Sequence, residues 1–152
     1  MHDNDNRKLV AYKFVETKYH NNIRYPQKDF NLGTGGWQGA ATDGTTVWII
    51  NTTNNKAVAW TVPTLTTDAS RDTDKDFDLL GGNTLKGLVY ADNRIWAIDN
   101  STQARCYEPL VGIRDETRDI THGYTDAVRG VSNGTYISVS YTHLTLPTTP
   151  YV

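Results

Sequence analysis

The chain has 152 residues, of which 38% are hydrophobic and 21% are charged, and its formal net charge is −2. This composition is typical of a globular protein and excludes a chain that is disordered throughout. The small net charge gives no electrostatic reason to expect nucleic acid or an anionic membrane as a partner, and no apolar run reaches membrane-spanning length.

The sequence repeats itself with a period of about 46 residues, a spacing that indicates a solenoid, a propeller or another tandem array. Trp48 recurs as Trp96, each inside a similar apolar stretch. A second segment of the repeat occurs three times, as Lys-Leu-Val-Ala-Tyr at residues 8–12, Lys-Ala-Val-Ala-Trp at 56–60 and Gln-Ala-Arg-Cys-Tyr at 103–107.

The repeat at residues 39–86 predicts four short strands, because its apolar stretches are separated by polar turns and lack a helical period. Asp43 and Gly44 form a strong hairpin-turn dipeptide between the first two strands. The second strand is apolar on both faces, which predicts a sheet that is covered on both sides. The stretches are centred on residues 39–41, 46–50, 56–62 and 75–80.

The following repeat reproduces this order, with stretches at residues 87–90, 94–98, 104–107 and 118–121. We therefore predict an all-β fold made of about three four-stranded antiparallel blades of an incomplete β-propeller. Paired-helix solenoids are excluded by the missing helical period, and a parallel β-helix is disfavoured because its coils are shorter. The predicted units are a partial blade at 1–32, blades at 33–80 and 81–121, and a partial blade at 122–138.

Three phrases carry a family resemblance: Asp-Gly-Thr-Thr-Val-Trp at residues 43–48, Lys-Ala-Val-Ala-Trp at 56–60 and Lys-Asp-Phe at 75–77. Together they resemble the tandem repeat of bacterial β-propeller proteins. The resemblance covers residues 1–138 and implies a propeller, often within a large secreted protein of several domains. It implies no particular activity. The repeat that follows residue 86 departs from the pattern, because it has Asp92-Asn93 in place of Asp-Gly and Asp119-Ile120 in place of Asp-Phe.

Residues 139–152 contain no charged residue and match no predicted strand of the repeat. Residues 139–148 match one translated reading frame of a common sequencing-library adapter, so we expect this tail to be non-native and exclude it from the fold. Aligning residues 133–137 with residues 43–47 places Ser138 where the repeat has Trp48. Met1 falls within a repeat, and we therefore expect the chain to be a fragment of a longer propeller.

Candidate site residues all have a simpler structural interpretation. The acidic run at residues 72–78 lacks the glycine and glutamate of a calcium loop, and the glycine-rich residues 33–36 lack the lysine and helix of a phosphate loop. Cys106 aligns with alanines and is expected to be a packed, inert thiol. The histidines form no ligand or triad pattern; they are His2, His20, His122 and His143.

These observations predict a chain that is not an enzyme, with no catalytic residue, no metal site and no cofactor. We expect a protein-binding or glycan-binding module, or a scaffold, that uses loops at the blade edges; its binding residues are unknown. The parent protein is expected to be extracellular or at the cell surface. The alternative is a fragment of a propeller hydrolase or lactonase that holds a metal on the central axis, and a third possibility is a spacer.

The expected partners are a protein or glycan, with no nucleic acid and no insertion into a membrane. A ring takes roughly four to eight blades, so a fragment with about three leaves apolar faces uncovered. We therefore expect the fragment to associate with itself through exposed blade faces.

Overall fold

The computed structural model describes residues 8–9, 12–13, 23–24, 28–64, 66–81, 84–123 and 127–141. Four short strands come first in the chain and pair antiparallel, β1 with β4 and β2 with β3. Their bounds are β1 Lys8–Leu9, β2 Tyr12–Lys13, β3 Ile23–Arg24 and β4 Phe30–Asn31.

Two four-stranded antiparallel sheets follow, each with its strands in sequence order. The first sheet contains β5 Trp37–Thr42, β6 Thr46–Asn51, β7 Lys56–Thr61 and β8 Phe77–Asp78. The second sheet contains β9 Leu85–Ala91, β10 Arg94–Asp99, β11 Gln103–Tyr107 and β12 Ile120–Thr121. A third hairpin contains β13 Ala127–Ser132 and β14 Ile137–Tyr141.

The all-β prediction is confirmed, and both central repeats have the four strands that the sequence indicated. Two 3-10 turns lie wholly within the described residues, Thr73–Lys75 and Glu116–Arg118, and Lys28 and Thr84 are single described residues in the same conformation. No helix in those ranges has the length and apolar character needed to cross a bilayer. Closure into a ring and the number of blades stay predictions, as do the repeat boundaries.

Equivalent positions in the three hairpins pair in the same register. The hairpin turns end the strands in similar ways, since Asp43 and Asn133 each accept two backbone N–H groups from residues two and three positions later. Ser138 therefore occupies the register position of the two repeated tryptophans, as the sequence alignment predicted. The equivalent pairs are Ala41 with Trp48, Val89 with Trp96 and Val131 with Ser138.

The short N-terminal strands pair as the third and fourth strands of the first sheet do. Leu9 lies opposite Phe30, as Ala57 lies opposite Phe77. A second set of antiparallel pairs joins the third-strand aromatic to an arginine in every repeat. These pairs are Tyr12 with Arg24, Trp60 with Arg71 and Tyr107 with Arg114. The strands at the start of the chain thus correspond to the outer half of a four-stranded sheet.

The apolar core lies between successive sheets, because each central strand is apolar on both faces. On one side of the first sheet, Trp48 and Ile50 pack in one cluster with Leu85 and Ile95 of the second sheet. The other side forms a separate cluster that includes Phe30, Ile49, Val58 and Trp60. A third cluster joins the second sheet to the third hairpin. The layers therefore follow one another in chain order.

A polar arrangement, which we call the clasp, holds the edge of each four-stranded sheet. In the first sheet, the Asp76 carboxylate accepts the Ala59 N–H at 2.8 Å and pairs with the Arg71 guanidinium. The guanidinium also lies 4.8 Å from the centroid of Trp60, a cation–π distance. The second sheet repeats the clasp with Asp119, Cys106 N–H and Arg114. The aspartate of the repeat thus serves hydrogen bonding at the strand edge.

The fourth strands are shorter than the sequence predicted. β8 begins at Phe77 rather than at residue 75, because residues 73–75 form the 3-10 turn and Asp76 directs its carboxylate to the clasp. The expected tail also differs, since β14 continues to Tyr141. Backbone pairing with β13 extends the strand whatever its side chains are. Residues 142–152 lie outside the described residues, and the origin of the tail stays a prediction.

Candidate functional site

The three inner strands, β5, β9 and β13, lie side by side along one edge of the stacked sheets. Small residues allow this close approach. A Cβ atom added to Gly39 would lie 2.7 Å from the Cα of Gly87, and one added to Gly87 would lie 3.3 Å from the backbone nitrogen of Gly130. The row of inner strands therefore brings equivalent positions of three repeats to one surface.

A shallow, open depression of about 300 Å³ lies along these strands, and we call it the inner-strand cavity. Pockets of this size accept a small molecule or one functional group of a larger ligand. Each inner strand contributes three consecutive residues to the lining. They are Ala40, Ala41 and Thr42 of β5, Leu88, Val89 and Tyr90 of β9, and Gly130, Val131 and Ser132 of β13.

Each strand contributes one hydroxyl-bearing residue to the cavity lining, and these residues occupy equivalent register positions. Two of them stabilise their own hairpin turns: Thr42 Oγ1 accepts the Gly44 N–H at 3.0 Å, and Ser132 Oγ accepts the Gly134 N–H at 2.8 Å. The third, Tyr90 Oη, donates to Asn93 Oδ1 at a longer distance of 3.3 Å. Of these three hydrogen bonds, the one made by the Tyr90 hydroxyl is the longest.

The environment of Tyr90 keeps its phenol protonated. Burial raises its pKa above the usual 10.0, and the carboxylates of Asp43 and Glu108 raise it further, while Arg94 opposes them. Its ring lies parallel to that of Trp48 in the first sheet, with the centroids 6.5 Å apart. A protonated and oriented phenol at the wall of a cavity is suited to donate a hydrogen bond to a ligand.

The charged residues that act on Tyr90 are Asp43, Glu108 and Arg94, and none of them lines the cavity. Arg94 pairs with Glu108 at 2.8 Å. Burial alone would raise the pKa of Asp43, but hydrogen bonds from Thr45 and Thr46 outweigh it and hold the pKa below 3.8. Asp43 is therefore a carboxylate at neutral pH. The cavity wall thus offers a hydroxyl donor, while the paired acid Glu108 and the negative charge of Asp43 lie outside the lining.

The acidic run at residues 72–78 is engaged in ion pairs and not gathered around a common point. Asp72 pairs with Lys75 at 3.0 Å, and Asp78 pairs with Lys56 at 3.1 Å. Asp76 belongs to the clasp. Throughout the described ranges, no three His, Cys, Asp or Glu side chains come together as a metal site would require.

Other candidates lie where the sequence predicted. Residues 33–36 form the connection from β4 to β5, in which Gly33 and Gly35 have positive φ angles. Cys106 is fully buried, and burial raises the pKa of its thiol to about 11, so it is a packed and inert group. The backbone N–H of His122 donates to Thr102 O just after β12. His2, His20 and His143 lie outside the described residues.

One buried carboxylate was missed by the sequence analysis. Asp99 is only 1% exposed, and its side chain pairs with Arg105 at 2.6 Å. Burial alone would raise its pKa, but hydrogen bonds from Ser101, Gln103 and Arg105 hold the pKa below 3.8. The sequence gives no signal for this burial, because Asp99 begins a polar turn, and even in the structure the aligned Asn51 is only half-buried. Asp99 organises the β10–β11 turn and lies away from the inner-strand cavity.

No family model matches the chain, and a search of curated proteins found no match. Among solved structures, the chain is similar to the glutaminyl cyclase of Myxococcus xanthus, with a TM-score of 0.60 and 17% sequence identity. The match covers 78% of this chain and 49% of that enzyme, so the chain spans about half of its length. At this identity the likeness establishes a propeller-like fold and no activity.

The likeness corrects the expectation that the chain is not an enzyme. That expectation was based on repeated packing and turn residues, and here the same kind of fold belongs to an enzyme. Packing residues form the scaffold in enzymes and binding modules alike, so they do not distinguish the two classes. A binding or scaffolding role gains no support from the comparison. The chain therefore has the propeller-like fold of a known enzyme.

Proposed function

We propose that the chain is part of a β-propeller enzyme and that its inner-strand cavity receives the reacting group of the substrate. The observation that carries the proposal is the fold that the chain shares with glutaminyl cyclase. The cavity supports it, because equivalent hydroxyl-bearing positions of three strands meet there. A rigid surface of this kind can hold a substrate carbonyl in a fixed orientation.

The reaction we propose is the cyclisation of an N-terminal glutaminyl residue. The substrate amine forms a bond to the side-chain amide carbon, an oxyanion develops on the carbonyl oxygen, and the carbon–nitrogen bond of the amide then breaks to release ammonia. Tyr90 is the proposed donor to the oxyanion, because its raised pKa keeps it protonated. The attacking nitrogen passes its proton to the leaving nitrogen directly or through solvent water, since neither Glu108 nor Asp43 lines the cavity.

A hydrolase or lactonase remains the second candidate, because an ester or lactone offers the same kind of carbonyl to Tyr90. In that alternative a metal lies on the central axis. Within the described part of the chain, no group of acidic, His or Cys side chains converges. The metal ligands would therefore come from outside that part. Both candidates therefore place the reacting carbonyl at the same cavity and differ in what activates the nucleophile.

The test compares the 152-residue chain with its Tyr90→Phe variant on a peptide with an N-terminal glutamine. Release of ammonia and of the cyclised peptide is followed by mass spectrometry. We expect turnover by the parent chain and a loss of about 100-fold in kcat/KM for the variant, typical of removing one oxyanion donor. The variant keeps the ring that packs on Trp48.

Tyr136→Phe is the matched control, because Tyr136 is 73% exposed and is not part of the inner-strand cavity. Its turnover should equal that of the parent. Turnover confined to an ester or lactone panel and abolished by a chelator would transfer the assignment to the second candidate. The absence of turnover on all these substrates, or equal rates for the parent and Tyr90→Phe, would contradict the enzymatic proposal.

A further inference from the structure

We propose that Asn133 and Gly134, in the turn between β13 and β14, form a site of spontaneous covalent modification. Asn133 loses its side-chain amide through a succinimide ring, and the products are aspartate and isoaspartate at position 133. The reaction needs only water, and it is independent of the proposed function and of any substrate.

The reaction proceeds without oxidation or reduction. The backbone nitrogen of Gly134 gives its proton to solvent and forms a bond to Cγ of Asn133. The bond from Cγ to Nδ2 breaks, and Nδ2 takes up a proton and leaves as ammonia. Water then opens the succinimide ring. Cleavage of the new bond at Cγ gives aspartate, and cleavage at the backbone carbonyl carbon of residue 133 gives isoaspartate.

Gly134 makes the attacking nitrogen accessible. Asn133-Gly134 is the only asparagine–glycine pair in the sequence, and glycine has no Cβ to obstruct the approach of its own nitrogen. The φ angle of Gly134 is 93°, and a Cβ added there would meet no atom beyond its chain neighbours within 4 Å. Asn133, Gly134 and Thr135 are all exposed, so water reaches the ring.

The hydrogen bonds of the turn act on the reacting groups. Asn133 Oδ1 accepts the backbone N–H groups of Thr135 at 3.0 Å and Tyr136 at 2.8 Å. This oxygen becomes negatively charged when the nitrogen attacks Cγ, and donors directed at such a charge stabilise it. The Gly134 N–H donates to Ser132 Oγ at 2.8 Å, so the departing proton has a hydroxyl through which it can pass to water.

The turn at Asp43 and Gly44 has the same arrangement with the product residue in place. Asp43 Oδ1 accepts the N–H groups of Thr45 and Thr46, and the φ angle of Gly44 is also 93°. Hydrogen bonds hold the pKa of Asp43 below 3.8, so the side chain is a carboxylate, which resists attack by nitrogen. An aspartate at position 133 should therefore keep the turn and react no further.

The same turn shows that a neighbouring repeat does not bury a site of this kind. The inner strand β9 packs beside β5, which leads into the turn. Gly44 and Thr45 are nevertheless exposed. The accessibility of Gly134 is therefore a property of the turn itself.

The two products differ in their effect on the surroundings. Isoaspartate directs the chain through the side-chain carbon and adds one atom to the backbone of the turn. Gly134 O accepts the Asp92 N–H of the second sheet at 2.9 Å, and Ser132 lines the inner-strand cavity. Isoaspartate would displace the hydrogen bond between repeats and the cavity wall, whereas aspartate would leave both in place.

The test incubates the folded 152-residue chain at mildly alkaline pH, without a peptide substrate, and follows it by isoelectric focusing. We expect a new species that carries one more negative charge than the parent, whose formal net charge is −2. Peptide mapping with fragmentation that distinguishes aspartate from isoaspartate should locate both products at position 133. Ammonia should be released in equal amount.

Two controls accompany the measurement. Asn93 is the internal control, because it lies in the hairpin turn of the second sheet and is followed by the large side chain of Arg94, so it should stay unmodified. Asn133→Asp is the matched variant, and it should fold and gain no isoaspartate. The purified isoaspartate form of the parent should unfold at a lower urea concentration than Asn133→Asp.

Three outcomes would overturn the proposal. They are an unmodified Asn133 in the folded chain, whether or not the urea-denatured chain reacts there, equal modification of Asn93, and isoaspartate formation in Asn133→Asp at the rate of the parent. The first outcome would show that the native turn holds Cγ away from the nitrogen. If Asn133→Asp failed to fold, the comparison of Asn133 with Asn93 within the parent chain would still decide.

Discussion

Trp48 of the first sheet and Tyr90 of the second lie with their rings parallel, at an interplanar angle of 5°. Trp48 is fully buried and donates its indole N–H to Lys75 O at 3.2 Å, so its orientation is fixed from its own sheet. Tyr90 lines the inner-strand cavity. One aromatic contact therefore joins the core between two repeats to the wall of the candidate site.

Trp48→Ala should destabilise the fold by about 3–5 kcal/mol, the usual effect of emptying a large aromatic site in a core. Urea unfolding followed by circular dichroism measures the change. Tyr136→Ala serves as the control, because Tyr136 is 73% exposed and its loss should change the free energy of unfolding little. Equal effects of the two variants would show that the tryptophan site is not part of a closely packed core.

Asp99→Asn should destabilise the chain by about 3–5 kcal/mol, because it leaves the half-buried Arg105 guanidinium without its charged partner. Asp78→Asn removes an exposed pair with Lys56 and should cost less than about 1 kcal/mol. Chemical denaturation of both variants near neutral pH provides the comparison. A larger effect at Asp78 would contradict the assignment of Asp99 as the carboxylate that matters for folding.

The same carboxylate predicts a pH dependence. The pKa of Asp99 is lowered in the native state, so its stabilising contribution is complete above the ordinary value of 3.8. It is lost as the pH falls below that value toward the native pKa. The parent chain should therefore lose more stability on acidification than Asp99→Asn does. Parallel curves for the two proteins below pH 3.8 would oppose this assignment.

Cys106 should not react with a thiol reagent in the native protein. Burial, and next the charge of Asp115, raise the pKa of the thiol to about 11, so the reactive thiolate is scarce at neutral pH. Reaction with a chromogenic disulfide should occur only at the rate of unfolding and should become rapid in denaturant. Fast labelling of the folded chain would show that the strand carrying Cys106 opens readily.

The proposed origin of the tail predicts a different natural sequence after residue 137. Re-amplifying the locus from source DNA should give a tryptophan or similar aromatic at position 138, followed by a strand rich in Ile or Val. In a protein extended by that sequence, Trp at position 138 should stabilise by about 3–5 kcal/mol relative to Ala. Independent clones that all encode residues 139–152 as they stand would contradict the adapter interpretation.

The sequence predicted the strands well because each repeat carries its own pattern. The apolar residues around Trp48 and the turn residues at Asp43 lie close together in the sequence. They predict the strand and the hairpin turn that the structure contains. The relations between repeats were less accessible. Asp99 is buried with Arg105 as its ion-pair partner, and the β10–β11 turn is what brings these two residues together. The contact of Trp48 with Tyr90 needs two sheets to stack, and no spacing within one repeat predicts it.

The candidate site was missed for a related reason. Thr42, Tyr90 and Ser132 are unlike in size and chemistry, so they form no motif along the chain, and only their common register places them around one cavity. The expectation that the chain is not an enzyme is opposed by the structural likeness to glutaminyl cyclase, and not by these residues themselves. A search for recurring residue types finds the scaffold, whereas a site can be composed of positions that differ between repeats.

The clasp makes each repeat independent in its polar bonding. Asp76 and Arg71, like Asp119 and Arg114, come from the same repeat as the backbone N–H that they satisfy. A gene segment duplicated at this period therefore encodes a unit that brings its own hydrogen-bond partners and requires only an apolar neighbour. Inner-strand residues such as Tyr90 take no part in the clasp, and they are free to diverge from one duplicate to the next.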